Sequence, residues 1–222
     1  MKGPALLLFS LVALGCSNLT ETTGGVVGLE IQAPTPATIE IGETLPLSAV
    51  ALDKNGKPVA ANVTWRASDP TLTVDQAGMI TGVAAGTGRV QAFLGTLSSS
   101  LVTFNVIARA DTLVVTDSLF TVAPGVAASP ALVTSVQSLS SGPLPSRPVV
   151  YTVVSPADNS VQLTGGVLQA TVNTGTDGAV SSVTLTRLNA AQPTTAIVEV
   201  SAYRTRGAVV PGSGQRFTVT FQ

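Results

Sequence analysis

The sequence predicts an all-β chain built as two tandem β-sandwiches. Three observations lead there. Thr, Ser, Val and Ala dominate the 222 residues, with 21 Gly and 14 Pro, and β-branched residues suit pleated, half-buried positions while Gly and Pro punctuate turns. Short apolar/polar alternations recur along almost the whole chain, separated by turn signals. The length allows one or two domains, and a single cysteine, Cys16, leaves no intrachain disulfide. Each sandwich must therefore rest on its own apolar core, which a unit of about 80–110 residues can supply.

The N-terminus comes first. Met1-Lys2-Gly3-Pro4 leads into an apolar run from Ala5 to Gly15 that ends at Cys16. One positive charge before a short apolar stretch is an export-signal pattern, and the run falls well short of the ~20 residues that span a bilayer. Gly15-Cys16 resembles the lipobox of bacterial lipoproteins. That resemblance implies a signal peptide over residues 1–15, cleavage before Cys16, and diacylglycerol on the Cys16 thiol with an N-acyl chain on the new amine. Ala13 and Leu14 depart from the Leu and small residue the family prefers, so cleavage by an ordinary signal peptidase is the alternative. Several acyl chains together anchor stably where one does not. Residues 16–25 read as a flexible, lipidated tether, polar and closed by Gly24-Gly25.

The first domain is expected over 26–107. Leu29 and Ile31 share one face, as do Ile39 and Ile41, and Gly42-Glu43 forms a bend. Leu45, Leu47, Ala49 and Ala51 alternate into the turn Asp53-Lys54-Asn55-Gly56, whose Asn-Gly is a strong hairpin signal. Val63, Trp65 and Ala67 align before Ser68-Asp69-Pro70 breaks the strand. Leu72 and Val74 precede the turn from Asp75 to Gly78, and Met79 to Thr81 follow. Gly82 to Gly88 reads as a Gly/Ala bend. Val90, Ala92 and Leu94 then point inward, with Arg89, Gln91 and Phe93 outward, and Val102, Phe104 and Val106 align in the last strand. About seven short strands at regular spacing fit a sandwich with Greek-key connections. Trp65, the only Trp, has two readings. Its inward neighbours Val63 and Ala67 favour a core residue whose indole N–H finds a carbonyl; as an exposed aromatic it would stack on a sugar ring.

The ordered series Ile41-Gly42-Glu43-Thr44, Asp53 to Gly56, Val63-Thr64-Trp65, Ser68-Asp69-Pro70, Val74-Asp75, Gly78 to Val83 and Ala85-Gly86-Thr87 resembles the group 2 bacterial Ig-like domain. Intimin- and invasin-like surface proteins and many envelope proteins carry such modules. The resemblance implies an Ig-like sandwich used for spacing, adhesion or display, with no activity of its own and no shared ligand motif.

The second domain is expected over 108–222. Strand-like segments run over 112–116, 119–122, 131–139, 148–154, 161–164, 167–172, 179–187, 195–204 and 216–221, with Ser140 to Ser146 as a loop and Asn173 to Gly178 as a turn-rich link. Pro148 to Val153, Leu163 to Gly166, Thr176 to Gly178 leading into Val183 to Thr186, and Ile197 to Ala202 resemble the group 1, invasin-type Ig-like pattern; a fibronectin-like sandwich is the alternative.

Chemistry is conspicuous by what the composition omits. The chain has no His, which excludes a Ser-His-Asp triad and a His-containing zinc site, and no phosphate-binding Gly-rich loop followed by Lys-Ser/Thr. A net charge of −1 and singly scattered arginines argue against nucleic acid. Arg204 and Arg206 share a face if their segment is a strand, which reads as a solvated strand face. Asp69 with Asp75, or Asp53 with Asn55, offer weak calcium geometry, but turn chemistry accounts for them, because Asx side chains bond their own backbone.

The expected protein is non-enzymatic, without cofactor or metal. It is exported and held on the cell envelope through lipid at Cys16, on the outer membrane if the organism has one. It acts in adhesion, display or structural support. The alternatives are a subunit of a larger envelope or extracellular assembly and a carbohydrate-binding module. Expected partners are the membrane and a protein on the cell surface or in an assembly, with a glycan as the alternative and no nucleic acid.

Overall fold

A computed structural model of the chain describes residues 25–189 and 194–222. The signal peptide, Cys16 and nearly all of the expected tether lie outside the described residues.

The N-terminal sandwich contains β1 (Val26–Gln32), β2 (Thr38–Glu40), β3 (Thr44–Pro46), β4 (Ser48–Asp53), β5 (Pro58–Val59), β6 (Thr64–Ala67), β7 (Leu72–Val74), β8 (Met79–Gly82), β9 (Gly86–Leu94), β10 (Leu97–Ser98) and β11 (Val102–Ile107). The C-terminal sandwich contains β12 (Thr112–Val115), β13 (Leu119–Val122), β14 (Thr134–Ser138), β15 (Gly142–Pro143), β16 (Pro148–Ser155), β17 (Val161–Leu163), β18 (Gln169–Asn173), β19 (Ala179–Val180), β20 (Leu185–Arg187), β21 (Thr194–Ala202) and β22 (Gln215–Phe221). Strands up to β11 pair only among themselves, and so do strands from β12 onward.

In the first sandwich, β1-β4-β5 and β3-β8-β7 form one layer. In the other, β9 takes β6 on one edge and β10 followed by β11 on the opposite edge, with β2 beyond β11. The expected strand from Leu45 to Leu52 is split at Leu47, whose N–H donates to the Gly78 carbonyl at 2.9 Å. This lets one chain segment serve β8 first and β1 afterwards. Ile39, Leu47, Leu72, Ile80, Val90, Phe104 and Val106 fill the core, the inward positions that alternation assigns.

The expected bend from Gly82 to Gly88 is shorter than the sequence suggests, because β9 already starts at Gly86. Gly88 is strand, opposite Phe104. A Cβ there would sit 2.6 Å from the Leu72 Cβ, so the glycine serves close approach of the facing layer rather than a turn.

The second sandwich packs β13-β22-β21-β16-β18 against β12-β14 with its partners β15 and β19, and against the two-stranded β17-β20 sheet. Phe217 stacks on Tyr151 and Phe120, with centroids 6.4 and 6.2 Å apart. Tyr151 ties the two layers: its hydroxyl lies 2.6 Å from the Thr134 hydroxyl and donates to the Leu132 carbonyl at 3.1 Å. Two expectations shift here. Gly142-Pro143 inside the expected loop is a short strand on β14, and the run 179–187 is interrupted, with β19 on β14 and β20 on β17.

The register sets the direction of the whole molecule. From Glu43, β3 and β4 run out to Asp53, which pairs with Val26. From Arg147, β16 runs out to Ser155, and antiparallel β21 brings β22 back alongside it in the same direction as β16. Glu43 and Arg147 both face the junction, so Val26 and Gln222 lie at opposite ends.

Candidate functional site

The most organised polar constellation lies between the two sandwiches. It begins with a charge in an unusual place. Ile39 points into the core, so its neighbour Glu40 points to the other face of β2, where a single sandwich would leave it in water. The second sandwich covers it, and Glu40 is 1% exposed.

The cover is a hairpin. β21 ends at Ala202, Tyr203 pairs with Val209, and Arg204 N–H donates to the Ala208 carbonyl at 2.8 Å, while Gly207 N–H donates to the Arg204 carbonyl at 2.9 Å. The tip, Arg204-Thr205-Arg206, is pushed onto the β2–β3 corner. Glu40 Oε1 accepts from Arg147 Nη1 at 3.3 Å and from Thr205 N–H at 3.4 Å. Its Oε2 accepts from Ala110 N–H at 3.4 Å and lies 3.8 Å from Arg204 Nε. Glu43 adds a second carboxylate: Oε1 is 2.9 Å from Arg206 Nε, and Oε2 accepts from Glu40 N–H at 2.8 Å. Arg206 Nη2 also donates to the Thr38 carbonyl at 2.7 Å.

The connecting residues are fastened from both sides. Arg147 Nη2 donates to the Ala108 carbonyl and Arg204 Nε to the Ala110 carbonyl. Arg109 pairs with Asp111 at 3.1 Å, and Asp111 accepts from Leu139 N–H at 2.8 Å. Several of these contacts are long, and a buried ion pair repays its desolvation only when every partner is in place. What they fix is geometry: acceptors on one sandwich, fork-shaped donors on the other.

Arg204 and Arg206 thus do not form a solvated strand face. They lie beyond the strand end, in a turn, and each reaches across to the first sandwich. Glu40, Glu43 and Arg147 were missed from sequence. A signal existed for Glu40, a carboxylate wedged between Ile39 and Ile41. Arg147, ahead of Pro148, carried none.

Trp65 is half-buried and packs on the edge of the first core. Its place is set by Gly78, at φ +82, where a Cβ would stand 2.9 Å from both the Trp65 ring and the Leu47 carbonyl. Among the described residues the indole N–H finds no carbonyl partner, and its side of the ring lies against Gly78. Trp65 also lines a groove of about 750 Å³ whose walls include Ser48, Asn62, Thr64 and Gln76.

The turn aspartates are engaged locally. Asp53 Oδ1 accepts from Asn55 and Lys57 N–H groups, both at 2.8 Å, and these backbone bonds hold its carboxyl below the usual value. Asp75 Oδ1 accepts from Ala77 and Met79 N–H groups. Asp69 takes Arg89 in a two-pronged pair at 2.9 Å, and Arg89 lowers its pKa. Asp69 and Asp75 therefore serve separate partners. Among the described residues, no group of three or more His, Cys, Asp or Glu side chains is placed to hold a metal ion.

Residues 31–103 match the bacterial Ig-like domain (group 2). The match spans β-strands on both layers of the first sandwich and includes Glu40, Glu43 and Trp65. The all-β architecture of the whole chain is also similar to solved structures. The adhesin InvE of Yersinia pseudotuberculosis is similar at 20% identity and a TM-score of 0.41, over 90% of this chain and 61% of the adhesin. Domains 4 and 5 of the S-layer protein SbsC are similar at 16% identity and a TM-score of 0.34, over 88% of this chain and 98% of theirs. This chain thus spans less than two thirds of the adhesin's length. No curated protein matches it.

Proposed function

We propose that the protein is a non-enzymatic, stiff two-sandwich spacer of the cell envelope, lipid-anchored at Cys16, that displays its far end for adhesion or structural support. The observation that carries this reading is the ionic junction. A display module must transmit position from its anchored end to its free end, and inter-domain motion is the default where nothing fastens two sandwiches. Here Glu40 and Glu43 take three arginines of the second sandwich, and Val26 and Gln222 lie at opposite ends. The Ig-like match of the first sandwich and the invasin-type resemblance of the second support the same role.

Two measurements test it. In the Cys16→Ser background, spin labels at Asn55→Cys and Asp158→Cys, exposed turns at the two far ends, report one narrow distance if the unit is stiff; a broad distribution refutes stiffness. For the anchor, labelled palmitate enters the expressed wild-type chain and not Cys16→Ser, and globomycin raises the apparent mass. A chain that takes up no label and ignores globomycin is not a lipoprotein.

A further inference from the structure

We infer that the groove beside Trp65 is a binding site for a neutral saccharide, an activity separate from the spacer role and not dependent on it.

The walls decide the ligand class. Leu47, Ser48 and Ala49 come from the β3–β4 break, Ala61 to Trp65 from the approach to β6, and Gln76-Ala77 from the turn before β8; no ionisable side chain lines the groove. A charged ligand would lose its hydration there without a counter-charge. The lining instead offers an indole and small apolar side chains beside two primary amides, Asn62 and Gln76, and two hydroxyls, Ser48 and Thr64. A sugar ring presents the complement: an apolar C–H face for the aromatic and a rim of hydroxyls that both donate and accept, as amides do. The volume, about 750 Å³, lies in the range of small-ligand clefts.

One feature makes this more than a surface hollow: the platform is preset. Trp65 is seated against Gly78 and its backbone is paired with Ala92, so little side-chain freedom is lost on binding.

An extended peptide fits less well. It would add to the free edge of β6, but β6 is four residues long and the preceding residues from Ala60 to Val63 belong to no sheet, so the hydrogen-bond ladder that gives such complexes their affinity is short.

Trp65 is the only Trp, so tryptophan emission reads this groove alone. The full chain is screened on a neutral glycan array. It is then titrated with cellobiose, maltotriose and di-N-acetylchitobiose, with trigalacturonate as the anionic comparison and an uncharged Gly/Ser/Thr pentapeptide as the peptide comparison. The expected result is array binding and a saturable emission change with a neutral sugar, but none with trigalacturonate or the peptide. Asn62→Ala and Gln76→Ala, both at exposed positions outside the core, weaken it about three- to tenfold each, the loss of one hydrogen bond, with Tm unchanged. The inference is overturned by no binding on the array and no emission change with any neutral sugar. Saturation by the peptide instead, or sugar binding indifferent to both substitutions, overturns it equally.

Discussion

Tyr151 shows how one side chain joins two layers and makes the second sandwich sensitive to alkali. It is fully buried, and burial pushes its phenol up to about 12, against a smaller opposing effect of the Thr134 hydrogen bond. The folded pKa therefore lies above the unfolded value near 10, so the buried neutral phenol contributes fully below pH 10. Between pH 10 and 12 the unfolded chain ionises first, and that contribution drains away, to a maximum on the order of 3 kcal/mol. Equilibrium urea unfolding at pH 8 and pH 11 should show a wild-type loss that Tyr151→Phe lacks. At pH 8 the Phe variant should be less stable by about 1–3 kcal/mol, because the Thr134 hydroxyl, itself fully buried, loses its tyrosine partner. Equal pH slopes for the two proteins would show that the phenol is not what titrates. Alternation already puts Tyr151 inward between Val149 and Val153. Its hydroxyl partner could not be read, since Thr134 sits on the other layer and no local pattern joins them.

At the scale of elements, β9 is the strand on which the first sandwich turns. It pairs with β10 and β11 on one side and β6 on the other, and its inner residues Val90 and Ala92 are fully buried. The facing layer comes closest at Gly88. Gly88→Ala should cost about 1–3 kcal/mol by overpacking, because the new methyl would meet the Leu72 Cβ at 2.6 Å and the Thr71 Oγ1 at 3.1 Å, and a Cβ cannot rotate out of the way of another chain segment. Gly28→Ala in β1 is the comparison: its nearest neighbour, the Leu52 Cβ, stands at an ordinary 3.7 Å, and its stability should stay within about 0.5 kcal/mol of wild type. Thermal melts of both variants check the contrast, and equal shifts would mean that the Leu72 contact is not the constraint. The same glycine explains where sequence reading stops. Turns at Asp53 to Gly56 and Asp75 to Gly78 were legible because Asx and Gly there act on their own backbone. Gly86 and Gly88 were read as a bend, because a glycine needed for a turn and one needed for a close neighbour look alike until the neighbour is placed. Trp65 was legible as a residue of the sandwich, but the groove beside it was not, since its walls belong to three separate segments.

Across the whole molecule, sequence patterns separated two sandwiches but did not show what holds them together. Glu40 and Arg147 are 107 residues apart, and junction chemistry has no periodicity to betray it. Its two halves should respond differently to salt. The Arg206–Glu43 pair keeps 30% and 22% side-chain exposure, so ions reach it and 1 M salt, with a Debye length of about 3 Å, should screen it heavily. The Glu40 contacts are enclosed, with Glu40 at 1% and Arg147 at 12% side-chain exposure, and should be screened far less. Arg206→Ala should thus mimic high salt: a modest loss of inter-sandwich order with both cores intact. Glu40→Ala removes the acceptor on which Arg147, Arg204, Ala110 and Thr205 converge. Its cost should be about 1–3 kcal/mol, below that of a fully enclosed pair because the released arginines retain a path to water. Its effect should fall on cooperativity: calorimetry should resolve two transitions where the wild type gives one, and small-angle scattering should show a wider range of inter-domain angles. Two resolved transitions in the wild type at low salt would mean that the junction aligns the sandwiches without coupling their folding. A Glu40→Ala profile identical to wild type in both measurements would remove the junction as the source of stiffness.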